Sequence, residues 1–309
     1  FHVNTGDPLP KGTDAVIMIE DVEDTASHIV IRKPVYLWQN VRMIGEDVIE
    51  GDMLFPSNHR ISPLDIGMAI SAGVTHIYVR RKPKIIIIPT GNELTDIYDD
   101  SAGNIPQARL IDFNSYTLEK LAEGMGFVAE RSKIVRDKKE LLNILKEAVS
   151  KCDVLIINAG SSAGSEDHTE GVIKELGRLI FHGVSMMPGK PPPFGLIRNK
   201  PVFGLPGYPV SAVTSFQAFL EPAYEKLSNV QFRRKHIRCT TPYKIPSRIG
   251  IEEVLRVNII VRKGQHYVFP LPRGASIFSS AARSDALLRI PVAVEGYNGT
   301  QERQHNEQD

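Results

Sequence analysis

The residues of this chain best suited to chemistry are small and acidic rather than nucleophilic. From Gly160 to Thr169 the sequence reads Gly-Ser-Ser-Ala-Gly-Ser-Glu-Asp-His-Thr. Gly160 and Gly164 allow positive φ and close backbone approach, while Ser161, Ser162 and Ser165 offer hydroxyls and unencumbered amides. An apolar run, Val154 to Asn158, precedes this loop, and Val172, Ile173 and Leu176 give the following segment a helical face that Asp167 or Thr169 can cap. Strand, small-residue loop and helix N-terminus point free amides and the positive end of a helix dipole at one place, so the expected guest carries phosphate. Such turns also serve as plain connections, and the loop alone leaves both readings open.

A second stretch has the same build. The apolar run Pro201 to Leu205 leads into Pro206-Gly207-Tyr208-Pro209 and then a helix over about Val210 to Leu227, with Ser211 in its first turn. Pro209 loses no needed hydrogen bond there, and Gly207 between two prolines sets a tight turn. Lys190, between Gly189 and a run of three prolines, is placed to meet a phosphate or to stay solvated.

Carboxylates gather near these loops. Glu93 follows the strand Ile85 to Ile88 within Pro-Thr-Gly-Asn-Glu-Leu, and Asp137, Glu166 and Asp167 can reach the same rim. Acids beside a phosphate loop call for a cation between them, and Mg²⁺ is the usual one; Glu93, Asp137 and Asp167 are its candidate ligands, although the last two are more often plain helix starts. A helix-capping role is the plain alternative for each. His168 and His182 lack a visible nucleophile or metal partner, and no serine-histidine-acid arrangement follows from spacing.

The elements that must position these residues alternate. Strands at 85–88, 154–158 and 201–205 and helices at 114–125, about 141–148 and 210–227 predict a mainly parallel sheet covered by helices on both faces, with both loops at its carboxyl edge. Residues 81–228 form this α/β domain. Before it, residues 1–80 read as β-rich, with strands at Ala15 to Ile19 and His28 to Ile31 and a helix begun by Ser62, Pro63 and Asp65. After it, residues 229–296 read as a small all-β domain with a hairpin turn at Lys263-Gly264, and 297–309 as a disordered tail.

The whole chain has 309 residues, 42% hydrophobic and 24% charged, with a net charge of +1. That balance gives no reason to propose a nucleic-acid or membrane surface. The two cysteines, Cys152 and Cys239, are far apart and in no ligand spacing, which fits a reducing cytoplasm. No apolar run approaches the ~18 residues of a membrane span. Phe1 in place of Met suggests that the chain is truncated at its start.

Taken together, Leu9-Pro10-Lys11-Gly12-Thr13-Asp14-Ala15-Val16, Gly45-Glu46-Asp47, Pro89 to Leu94, Gly160 to Thr169, Pro188-Gly189-Lys190-Pro191 and Gly204 to Ser211 resemble, in that order, the molybdopterin molybdenumtransferase family of MoeA and the E domain of gephyrin. The resemblance runs from Phe1 to about Gly296. It implies a homodimer with a central molybdopterin-binding domain between β-rich domains. It also implies a reaction: adenylylated molybdopterin and molybdate bind, AMP is cleaved off, and molybdenum stays on the dithiolene, with Mg²⁺ assisting.

By the same resemblance Asp47, Glu93 and Asp167 are the catalytic acids, with Asp137 beside them. Pro206 and Pro209 shape the pocket, and Arg256 and Ser279 help hold molybdate. Asn92, Tyr208 and Met187 stand where the family usually has Asp, Asn and Lys. The Ser-Ser-Ala form of the first loop resembles a subfamily fused to a C-terminal periplasmic-binding-type domain. Two other functions share these loops: the adenylyltransferase of the preceding step, itself a possible partner, and a non-catalytic module that binds molybdopterin, molybdate or a protein.

Overall fold

The computed structural model describes residues 1–25, 27–98, 109–158, 168–189, 193–232, 234–299 and 302–303. Its contacts divide the chain into two units, Phe1–Tyr78 and Val79–Asp309.

The first unit carries little core; Ala69 is its one buried apolar residue among those described. Strands β1 (Val22–Asp24) and β2 (Ile29–Ile31) pair antiparallel. Helix α1 (Pro63–Ser71) begins as its sequence demands: the Ser62 hydroxyl accepts from the Asp65 amide, the Asp65 carboxylate accepts from the Ser62 amide, and Pro63 takes the first position. The Ser62 amide, with help from the His59 ring, pulls the Asp65 carboxyl down to about 2. The expected strand at Ala15 to Ile19 does not form. Val16 instead donates to Gln39 O and accepts from the Asn40 side chain. The facing segment turns through left-handed Trp38 and Asn40, so it offers no extended partner for a ladder.

In the second unit one sheet has the order β6-β3-β7-β11-β10-β8. Strands β3 (Lys84–Pro89), β6 (Val128–Arg131), β7 (Val154–Asn158) and β11 (Lys200–Leu205) are parallel, while β8 (Arg178–His182) and β10 (Pro193–Ile197) add an antiparallel edge. Short strands β4 (Leu94–Thr95) and β5 (Leu110–Ile111) pair beside it. Alternation assigns the two faces. Ile85, Ile87, Val154 and Ile156 pack with helices α2 (Asn114–Met125) and α5 (Pro209–Ser228); Ile86, Ile88, Leu155 and Ile157 pack with α3 (Lys138–Ala148) and α4 (Thr169–Leu176). Each fully buried isoleucine contributes about 1.5–3 kcal/mol, which fixes the strand ends that carry the site.

Helix α4 starts without the expected cap from Thr169. His168 occupies the N-cap and makes no side-chain cap bond, and Thr169 is its first residue. Thr169 is buried because its methyl lies under the sheet, where a Cβ on Gly204 would meet it at 2.8 Å.

The second sheet runs β16-β14-β15-β12-β18, formed by β12 (Cys239–Thr240), β14 (Glu252–Arg262), β15 (Gln265–Pro270), β16 (Ala286–Ile290) and β18 (Glu302–Arg303). Strand β9 (Met186–Met187), an excursion from the first sheet, pairs with β14. A further pair joins β13 (Ile245–Pro246) to β17 (Gly296–Tyr297). Lys263 and Gly264 both take positive φ, as the hairpin turn requires. Two expectations need correction. This region is not purely β, since α6 (Phe278–Ala282) crosses it, and Tyr297 and Glu302–Arg303 pair with strands where disorder was expected. Among the described residues no helix is long and apolar enough to cross a membrane.

Candidate functional site

The carboxyl end of β3 is held from every side. Thr90 N donates to Asn158 O at 2.9 Å and Gly91 N to Val135 O at 3.0 Å. The next three carbonyls are all engaged: Leu110 N donates to Glu93 O at 2.8 Å, and Asn92 O and Leu94 O each accept from both Arg109 Nη1 and Arg136 Nη1. Glu93 is therefore fixed at its backbone while its half-buried carboxylate makes no hydrogen bond or ion pair among the described residues. It folds over Gly91, where a Cβ would lie 2.7 Å from its Oε2.

Asp137 stands at the start of α3 and caps it, accepting from Glu140 N at 2.8 Å. Its capping oxygen is thus occupied, unlike the carboxylate of Glu93. Among the described residues no three of His, Cys, Asp and Glu converge as metal ligands do. Gly160, Ser161, Ser162, Gly164, Ser165, Asp167 and Lys190 lie outside the described residues, as does Glu166. Asp47 belongs to the first unit, where it is exposed and pairs with Arg42 at 3.2 Å.

A polar network behind β4 was not visible in the sequence. Tyr116 donates to Asp96 at 2.8 Å, and the guanidinium of Arg131 lies 3.4 Å over the Tyr116 ring. Arg131 also donates to Ser115, which donates to buried Asp112. Burial pushes the Asp96 carboxyl up, but the Tyr98 amide, Tyr116 and Arg131 outweigh it and leave the group below its usual range. The network anchors α2 to the segment that follows Glu93.

Two asparagines shape the second loop. Asn158 Nδ2 donates to Pro206 O at 2.9 Å and Asn114 Nδ2 to Gly207 O at 2.6 Å. A polar residue closing a buried apolar strand was the signal for Asn158; nothing in the sequence marked Asn114. Pro209 opens α5, and Val210 N donates to Ala275 O at 2.9 Å, which ties the start of this helix to the segment between β15 and α6. Ser211 is fully buried beneath Gly189, and its hydroxyl has no partner among the described residues.

A cleft of about 490 Å³ opens beside this junction, lined among others by Met187, Gly189, Ser247, Glu253, Arg256 and Arg273. Arg256 is only 3% exposed. Its Nε donates to Ser280 Oγ at 3.1 Å and its Nη2 to Pro272 O at 2.9 Å and Gly274 O at 3.4 Å, so among the described residues Nη1 alone keeps its donors. Burial lowers its pKa, and the field of Glu253 opposes that shift. Glu253 pairs with Arg273 at 3.4 Å rather than with Arg256. A buried guanidinium without a contact carboxylate is costly, and an anion entering the cleft would offset that cost. Ser279, the expected hydroxyl, is exposed; Ser280 is the one on the guanidinium.

The MoeA N-terminal region (domain I and II) matches residues 1–73, the molybdopterin binding domain family MoCF_biosynth residues 86–226, and the MoeA C-terminal region (domain IV) residues 238–301. A molybdopterin biosynthesis protein of Methanocaldococcus jannaschii is 35% identical over 299 residues, 95% of this chain and 72% of that protein. The molybdopterin molybdenumtransferase of Haemophilus influenzae is 28% identical over 93% of this chain and 72% of that protein. The crystal structure of a molybdopterin biosynthesis MoeA protein from Pyrococcus horikosii superposes with a TM-score of 0.76 at 30% identity, covering 94% of this chain and 71% of that one. With its three regions matched in order and its identity sustained along nearly its whole length, the chain belongs to the MoeA family of molybdopterin molybdenumtransferases.

Proposed function

We propose that this chain inserts molybdenum into molybdopterin, taking molybdate and adenylylated molybdopterin and releasing AMP. The observation that carries the reading is Arg256: a buried guanidinium that lines the cleft, oriented by Ser280 and two carbonyls, with one nitrogen unpartnered among the described residues. The two N–H donors of that nitrogen and a full charge suit an oxyanion such as molybdate.

The nucleotide end of the substrate would lie at the rim of the parallel sheet, where open α/β folds bind ligands. There the carboxylate of Glu93 is unengaged on a clamped backbone, which fits it to hold Mg²⁺; magnesium takes one or two carboxylates and completes its shell with water and phosphate oxygens. Bound there, the ion would neutralise charge developing on the phosphoryl group as the adenylyl bond breaks. Asp137 can hold a water through its uncapped oxygen, and Pro206 and Gly207, pinned by Asn158 and Asn114, wall the site. The homodimer is part of the same proposal: Leu64, Ile66 and Ile70 of α1 are exposed, and a second copy would cover such a surface.

The test is AMP release from adenylylated molybdopterin, with and without molybdate and Mg²⁺, for the wild type, Glu93→Gln and Arg256→Ala. Release that needs molybdate and is lost in both variants supports the reading. Tight binding with no release under any condition replaces it with a binding module.

A further inference from the structure

Arg109 and Arg136 come from different parts of the chain and arrive at the same two atoms. Arg109 Nη1 donates to Asn92 O at 3.0 Å and Leu94 O at 3.2 Å, and Arg136 Nη1 donates to both at 3.2 Å. Sharing these acceptors, the two Nη1 atoms are no more than about 6 Å apart. Both side chains are exposed, and neither guanidinium has a carboxylate within ion-pair distance among the described residues. Glu93, the residue between the two acceptors, turns its carboxylate toward Gly91 instead.

Holding two carbonyls needs only one nitrogen of each arginine. Nε and Nη2 of both remain free among the described residues, and two like charges held this close repel unless an anion lies against them. A carboxylate would match one guanidinium fork. A tetrahedral dianion matches two; molybdate shares that geometry, and it is the strand-end rim, the usual seat of nucleotide phosphates, that points to a phosphoryl group. The pair also sits at the carboxyl ends of β3 and β6, the rim where a parallel sheet binds its ligands.

We propose that Arg109 and Arg136 form a second anion site, built from residues other than those lining the Arg256 cleft, that binds a phosphoryl group beside Glu93. Only the carrier of that group, pterin phosphate or adenylyl phosphate, rests on the function proposed above.

The test is calorimetric titration of the full chain with inorganic phosphate, AMP and molybdate, for the wild type, the double variant Arg109→Gln/Arg136→Gln, and Arg256→Ala. Glutamine keeps an N–H for the carbonyls and removes the charge; thermal midpoint and near-UV dichroism check the fold. The double variant is expected to lose about tenfold or more in affinity for phosphate and AMP while molybdate binding is kept, and Arg256→Ala is expected to do the reverse. If the double variant fails to fold, each single variant, which leaves the other arginine on both carbonyls, carries the test with an expected loss of about threefold. Competition of molybdopterin with AMP identifies the pterin phosphate as the carrier, and its absence the adenylyl phosphate. A folded variant that binds phosphate and AMP as the wild type does, or a wild type that binds neither, overturns the site. Failure of AMP release with phosphate binding intact overturns the insertase reading and leaves the arginine pair standing.

Discussion

The Nε–H of Arg256 ends on the hydroxyl of Ser280, 3.1 Å away, and the Ser280 hydroxyl in turn donates to Ile277 O at 2.7 Å. The chain therefore runs from the guanidinium through one serine to the backbone of the turn that starts α6. Ser280→Ala leaves Arg256 Nε buried and unpaired, at a cost of about 1–3 kcal/mol, and frees the guanidinium to rotate. Molybdate affinity should fall several-fold. Ser279→Ala, at an exposed position, should stay within about 0.5 kcal/mol of wild type. Chemical denaturation and molybdate titration of the two variants check this contrast.

Gly91→Ala separates position from stability. The new methyl would overlap the Glu93 carboxylate, the far end of a flexible side chain, at a φ of +158° that alanine rarely adopts. Glu93 should swing aside and the backbone strain should cost about 1–3 kcal/mol, so AMP release falls at least tenfold, more than the drop in thermal midpoint accounts for. Loss of stability with activity retained would show that the carboxylate is not where the chemistry needs it.

Gly189→Ala should behave differently. At φ +90° a Cβ would lie 2.5 Å from the Cβ of buried Ser211, part of the first turn of α5, so neither side can yield cheaply. Strain and overpacking together predict a loss of about 2–3 kcal/mol in a denaturant titration. Gly171→Ala, in α4 with open space around it, should instead stabilise by up to about 1 kcal/mol through helix propensity.

Asp153 links stability to acid pH. Arg81 grips both of its oxygens, at 2.6 and 2.8 Å, and this, with the Lys84 amide and against the pull of burial, brings its carboxyl down to about 2. The folded value lies below the unfolded one, so the stabilisation is complete above about pH 4 and is lost as pH falls from 4 toward 2. Asp153 is 14% exposed but Arg81 is 71% exposed, and solvent screening reduces the contribution to about 1–2 kcal/mol. Asp153→Asn should lose that amount at pH 7 and show a flatter stability curve between pH 4 and 2.

The parallel sheet was legible because period and burial agree there. Ile85 to Ile88 and Val154 to Ile157 are apolar on both faces, and each face packs against helices. The Ser62 start of α1 was legible for a similar reason, since its capping box is local in sequence. Ala15 to Ile19 misled because β propensity does not supply a partner strand. Ser279 and Ser280 are neighbours on a helix of five residues, about 100° apart, and which one faces Arg256 depends on the docking of α6 against β14. The arginine pair and the two loop asparagines escaped notice for the same reason: each is defined by a contact across the fold, such as the 93 residues between Asn114 and Gly207.

The pairing of β9 with β14 also sets an order of assembly. One wall of the Arg256 cleft, Met187 to Gly189, leaves the ribosome before the parallel sheet is complete, whereas the facing wall and Ser280 follow only after α5 has ended at Ser228. Synthesis proceeds from the N-terminus and domains fold as units, so a growing chain carries Glu93 and its two arginines on a finished sheet before it owns any buried guanidinium for an oxyanion. If Arg256 holds molybdate as proposed, that ability comes later in synthesis than the phosphoryl site beside Glu93.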